Sequence, residues 1–124
     1  LEQKHSFVVS AMISSCLFGF WHMIGPVRNY VDETMSMNGM IANIAMLVIT
    51  STLVGFKFAM LTKMTGSLYM AMGDHFVNNT IVNLLHVVSD TGADEMMVVR
   101  VAIAQSVSFI LVLLCYIRRC RKTL

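Results

Sequence analysis

The sequence predicts an all-α membrane protein, a bundle of four transmembrane helices. Three observations predict it. Of 124 residues, 56% are hydrophobic and only 13% are charged, whereas a soluble domain carries about a quarter charged residues. The apolar residues gather into four runs, each near the ~20 residues that cross ~30 Å of hydrocarbon. Arg118, Arg119, Arg121 and Lys122 cluster directly after the last run, which is a positive-inside signal rather than a phosphate-binding patch. The runs read as helices because an open sheet cannot satisfy its edges in lipid. A mean hydropathy of +0.70 agrees. The formal net charge of +2 is too small to argue for a nucleic-acid partner.

The first run covers about residues 6–24 and is expected to stop at Gly25-Pro26. It contains Ala11, Ser15 and Gly19 at four-residue spacing; small residues so spaced let two helices approach closely in lipid. Phe18 lies beside that stripe, with His22 one turn later. Taken alone, a histidine near a helix end reads as an interfacial residue. Residues 27–37 hold Arg28, Asp32 and Glu33 and read as an aqueous loop. The second run spans 38–61, followed by a short link with Lys63. The third spans 66–88, the fourth 97–117, and residues 89–95 between them carry Asp90, Asp94 and Glu95. With the basic tail in the cytoplasm, Lys4, Lys57 and Lys63 are expected on the same side and the two acidic loops outside. Cys16 and Cys115 read as buried small hydrophobes and Cys120 as a free thiol in the basic tail.

The third run holds the densest polar chemistry. His75, Asn79, Asn83 and His86 recur at i, i+4, i+8 and i+11, so they share one helical face. Asp74 and Asn78 widen the stripe on one side. Ionisable groups at bilayer depth cost about 2.5–3.5 kcal/mol on insertion scales and face a protein interior or a watery cavity. The expectation is a hydrated cavity lined by this stripe. Imidazole can orient a water or ligate a metal, and an asparagine amide can donate to a developing oxyanion. Two histidines, one carboxylate and a water would make a catalytic zinc site. Asp74, however, adjoins His75 and is turned about 100° from it on a helix, so it is a poor partner in one site.

The run Ser14-Ser15-Cys16-Leu17-Phe18-Gly19-Phe20-Trp21-His22 resembles the FxxxH motif of the CPBP intramembrane proteases, the CAAX-protease and bacteriocin-processing family also called Abi. The run from Thr65-Gly66-Ser67 to Asp74-His75-Phe76-Val77-Asn78-Asn79 resembles that family's HxxxN motif with its Thr-Gly-Ser lead-in. The resemblance covers about residues 6–88. It implies an intramembrane endopeptidase in which His22, His75 and Asn79 are catalytic. It also implies that His22 and His75 would be the ligands if zinc or another divalent metal is used. In the family a glutamate of an EExxxR motif is thought to act as base on the attacking water. No EExxxR occurs in residues 1–124. The expectation is therefore that residues 1–124 form the C-terminal part of a larger multi-helix protease and meet the glutamate on upstream helices of the same protein. The implied partners are the lipid bilayer and a peptide or protein substrate, with no nucleic acid. The implied setting is a multi-pass protein of a bacterial plasma membrane. Two other readings use the same residues. One is a non-catalytic membrane scaffold or bacteriocin immunity protein that keeps the fold. The other is a transporter or proton-relay fragment, which should show repeats or broken helices; the sequence has no evident repeat.

Overall fold

The computed structural model describes residues 1–84 and 97–121. All regular structure among them is helical: α1 (Phe7–Trp21), α2 (Ile24–Val31), α3 (Met37–Thr65), α4 (Tyr69–Leu84) and α5 (Met97–Arg121). The backbone falls into two compact units, Leu1–Phe56 and Lys57–Leu124. Helix α3 is continuous through the division and contributes to both.

In the first unit, the expected close helix contact is present. Ser10, Ala11, Ser15 and Gly19 are the buried residues of α1. A Cβ on Gly19 would overlap Thr52 Oγ1 and lie 2.7 Å from the Val48 carbonyl oxygen. One on Gly55 would lie 3.0 Å from Ser15 Cα. The helices thus meet almost backbone to backbone, through two glycines and a serine. Ser15 Oγ donates to the Ala11 carbonyl at 2.6 Å, so its hydroxyl is satisfied within its own helix. Ser6 caps α1, its Oγ accepting from the Val9 amide at 3.4 Å. Large side chains such as Val8, Met12, Leu17 and Phe20 are exposed, the surface expected of a helix facing lipid.

The first run does not stop at Gly25-Pro26. It breaks at His22-Met23, resumes as α2 and remains helical to Val31. Pro26 explains the displacement. In a continuous helix its ring would collide with the carbonyl of residue i−4, which is His22, and it has no amide to bond there. The chain instead tightens at the junction, with His22 and Met23 amides bonded to Gly19 and Phe20 carbonyls. Pro26 then falls in the first turn of a new helix, where no amide is needed. The first intrahelical bond runs from the Val27 amide to Met23. The loop expected over 27–37 shrinks accordingly. Its start is a Schellman turn: the Glu33 amide bonds Tyr30, the Thr34 amide bonds Asn29, and Glu33 adopts φ 57°.

In the second unit, α3 ends at Thr65 with Gly66 at φ 68°, the left-handed position that glycine takes without a Cβ penalty. Its amide bonds the Thr62 carbonyl at 2.8 Å. Thr65 Oγ1 accepts from the Ser67 amide and Ser67 Oγ accepts from the Tyr69 amide. The Thr-Gly-Ser lead-in is thus the device that ends one helix and starts the next.

Among the described residues, three helices are long and apolar enough to cross a membrane: Phe7–Val31, Met37–Thr65 and Met97–Arg121. The expected fourth span is not among them. α4 runs for 16 described residues, about 24 Å, and its polar stripe lowers its hydropathy. The rest of that expected span, with His86, and the acidic connection of 89–95 lie outside the described residues, as does Lys122.

Candidate active site

In the first unit, His22 closes α1 and is half-buried. Its Nδ1 lies 2.8 Å from the Phe18 carbonyl oxygen. A carbonyl only accepts, so Nδ1 carries the proton and the lone pair of the neutral ring sits on Nε2. The Phe18 ring packs edge-on against the imidazole, with centroids 4.8 Å apart. Phenylalanine and histidine four residues apart therefore form one unit: the Phe18 backbone fixes the tautomer and its ring fixes the plane. The break caused by Pro26 places this imidazole at a helix terminus. Trp21 and Met23, its neighbours in sequence, line an open apolar groove of about 660 Å³ with Leu17, Phe20, Ile24 and Val27.

In the second unit, α4 brings His75 and Asn79 together one turn apart. Asn79 Nδ2 donates to His75 Nε2 at 3.2 Å. The His75 ring also meets Phe58 of α3 edge-on, with centroids 5.5 Å apart and planes at 84°. His75 is half-buried and Asn79 exposed. This corrects the expected burial of the stripe. The inward side of α4 is made by Ala71, buried, and by Asp74 and Asn78, half-buried, while the His75–Asn79 side is the more open one. Asn83 lies on α4, but its side chain is outside the described residues.

The sequence reading missed the partner of the inward side. Lys57 was expected among the cytoplasmic charges. Instead it is 1% exposed, deep on the buried stripe of α3 that also contains Val54 and Met60. Its Nζ lies 2.7 Å from Asp74 Oδ2 and donates to Gln105 Oε1 at 2.8 Å and Ser108 Oγ at 3.2 Å, both on α5. Gln105 Nε2 in turn donates to Asn78 Oδ1. Two of the three ammonium hydrogens go to these α5 acceptors. The contact with Asp74 is chiefly one of charge, since the buried Oδ2 takes no well-aligned hydrogen bond among the described residues. The signal that could have found the pair is simple: one cation and one carboxylate inside neighbouring apolar runs must meet, because either alone is costly there.

The metal expectation names His22 and His75 as ligands, one in each unit. A catalytic zinc needs three protein ligands and a water. No group of three His, Cys, Asp or Glu side chains comes together among the described residues. The His75 Nε2 lone pair receives the Asn79 amide, and Asp74 is engaged by Lys57. The residues described here do not make a metal site.

A chain whose described residues are helical, with three helices of membrane-spanning length and hydropathy among them, is an integral membrane protein. More particularly, the model of the type II CAAX prenyl endopeptidase Rce1-like family matches residues 1–81, about two thirds of the chain, and the chain belongs to that family. No curated protein and no solved structure matches it.

Proposed function

We propose that this chain supplies the histidine and asparagine groups of an intramembrane endopeptidase that cleaves CAAX-type C-termini. The observation that supports the reading is the His75–Asn79 contact on the open side of α4, inside the family match. A carboxylate takes a proton from a water whose oxygen bonds to the scissile carbonyl carbon. The carbonyl oxygen becomes an oxyanion. An amide has a second hydrogen to donate, and Asn79 gives it to that oxyanion. His22, with its Nδ1 proton engaged by Phe18, presents Nε2 to the water and orients it. Collapse of the intermediate breaks the C–N bond, and the proton held by the carboxylate passes to the leaving amine.

Asp74 is not that carboxylate, because Lys57 holds it. We assign the base to a glutamate of the EExxxR type from outside residues 1–124, in a larger protease of which this chain is the C-terminal part. Residues 1–124 alone are then inactive. No step is routed through a metal, because the donor set does not complete a site. The open groove beside His22 supports a lipidated peptide as substrate, since its apolar walls suit a prenyl chain. A bacterial plasma membrane is the proposed location.

The test is cleavage of a farnesylated CAAX peptide by the full-length protein in liposomes. His22→Ala and His75→Ala each abolish most tripeptide release while the helices stay folded. Full activity in both variants contradicts the assignment, and the non-catalytic scaffold reading then takes its place.

A further inference from the structure

Two consecutive residues of α3 meet two consecutive residues of α4. Lys57 pairs with Asp74 at 2.7 Å, and Phe58 packs edge-on against His75 at 5.5 Å. One turn further along α4, Asn78 is held by Gln105, which itself accepts from Lys57. Helix α4 is thus tied at Asp74 and at Asn78, one turn apart, to a single buried ammonium. Each tied residue immediately precedes a candidate catalytic one: Asp74 precedes His75, and Asn78 precedes Asn79. Two attachments on one face fix both the rotation of a helix about its axis and its position along that axis. A rotation of α4 by one residue would carry His75 and Asn79 through about 100°.

A buried ion pair is a poor source of stability, because desolvation offsets the attraction, and its best-attested use is to fix register. The Lys57 ammonium is also 5.7 Å from the centre of the Phe58 ring, the ring against which His75 rests. The charges and polar groups facing Lys57 come from α4 (Asp74) and α5 (Gln105, Ser108).

We propose that Lys57 and Asp74, with Gln105 and Asn78, are positioning residues that set the orientation of the His75–Asn79 pair. The inference rests on the catalytic reading of that pair. Its effect is on the transition state: a misplacement of about 1 Å costs on the order of 10²-fold in rate and leaves the binding of a peptide elsewhere on the protein unchanged.

The experiment compares wild type with Lys57→Met/Asp74→Leu in the full-length protein in lipid nanodiscs. It measures thermal melting, kcat and KM for a farnesylated CAAX peptide, and the ¹⁵N imidazole resonances of labelled histidine, with His75 assigned by its loss in His75→Gln. The apolar pair is expected to keep the fold and melting temperature. kcat is expected to fall on the order of 10²-fold at constant KM, and the His75 resonance to broaden or split. Return of kcat together with stability, or an unchanged His75 resonance, overturns the proposal, since a merely structural pair behaves that way. Should the double variant not fold, Asp74→Asn decides. It keeps the shape and an acceptor, and wild-type kcat with an unchanged His75 resonance in it overturns the proposal. If His75→Ala retains full activity, the catalytic reading fails instead, and the resonance alone still reports whether the pair positions His75.

Discussion

Lys57 Nζ and Asp74 Oδ2 lie 2.7 Å apart, with the lysine side chain 1% exposed and the aspartate 30%. They join α3 to α4 through charge at a depth where neither residue is tolerable alone. Replacing one partner leaves the other as an uncompensated buried charge. Asp74→Leu, which strands the buried Lys57 ammonium, is therefore expected to destabilise the protein by about 3–5 kcal/mol. Lys57→Met/Asp74→Leu should recover most of that loss. Thermal or denaturant melts of both variants in one detergent check the pair. Equal stability of wild type and the single variant would mean that the contact does not form in the membrane.

Gly19 is the tightest point of the first unit. Gly19→Ala places a methyl group onto Thr52 Oγ1 and 2.7 Å from a backbone oxygen. The expected cost is about 1–3 kcal/mol, the range for overpacking. Thr52→Ala in the same chain should relieve part of it, because the side chain moves away while the Val48 carbonyl remains. A melting series of the two single variants and the double reads the coupling.

Glu33 sits at φ 57° in the Schellman turn after α2. Glu33→Gly removes a Cβ that disfavours this backbone and should stabilise the turn by about 1 kcal/mol. Hydrogen exchange at the Glu33 and Thr34 amides is the direct measure, and slower exchange is the expected result. Faster exchange would mean that the glutamate side chain holds the turn.

Much of this architecture is legible in the sequence, and the parts that are not have physical reasons. Ala11, Ser15 and Gly19 predict a close contact because small residues one turn apart in lipid have little other use. His75 and Asn79 predict a shared face because four residues is one turn, and the contact forms within a single helix. Pro26 misleads because a proline marks a break without locating it. Its clash falls four residues earlier, at His22, and its own position then suits a helix start. Lys57 misleads because a lysine near the end of an apolar run reads as one reaching the interface. Its partners lie on α4 and α5, and a pairing between helices leaves no local pattern. The same hidden pairing reassigns half of the α4 stripe. Asp74 and Asn78 belong to the lysine, while His75 and Asn79 remain on the open side.

The topology follows from α5, whose last turn carries Arg118, Arg119 and Arg121. Cys120 among them is exposed. A membrane-impermeant maleimide should label Cys120 in inverted vesicles and leave it unlabelled in intact cells. The opposite pattern would reverse the orientation of the whole chain.

The catalytic assignment is central, and groups that act as one unit give non-additive losses. His22→Ala/His75→Ala should be little slower than either single variant. Asn79→Ala, removing an oxyanion donor, should cost on the order of 10²–10³ in rate. The most direct measurement is the rate of tripeptide release from a farnesylated CAAX peptide by the full-length protein in liposomes, wild type against His75→Ala. Circular dichroism and melting of both must coincide. The account predicts release by the wild type and near-complete loss in the variant. Equal rates from two equally folded proteins would contradict it.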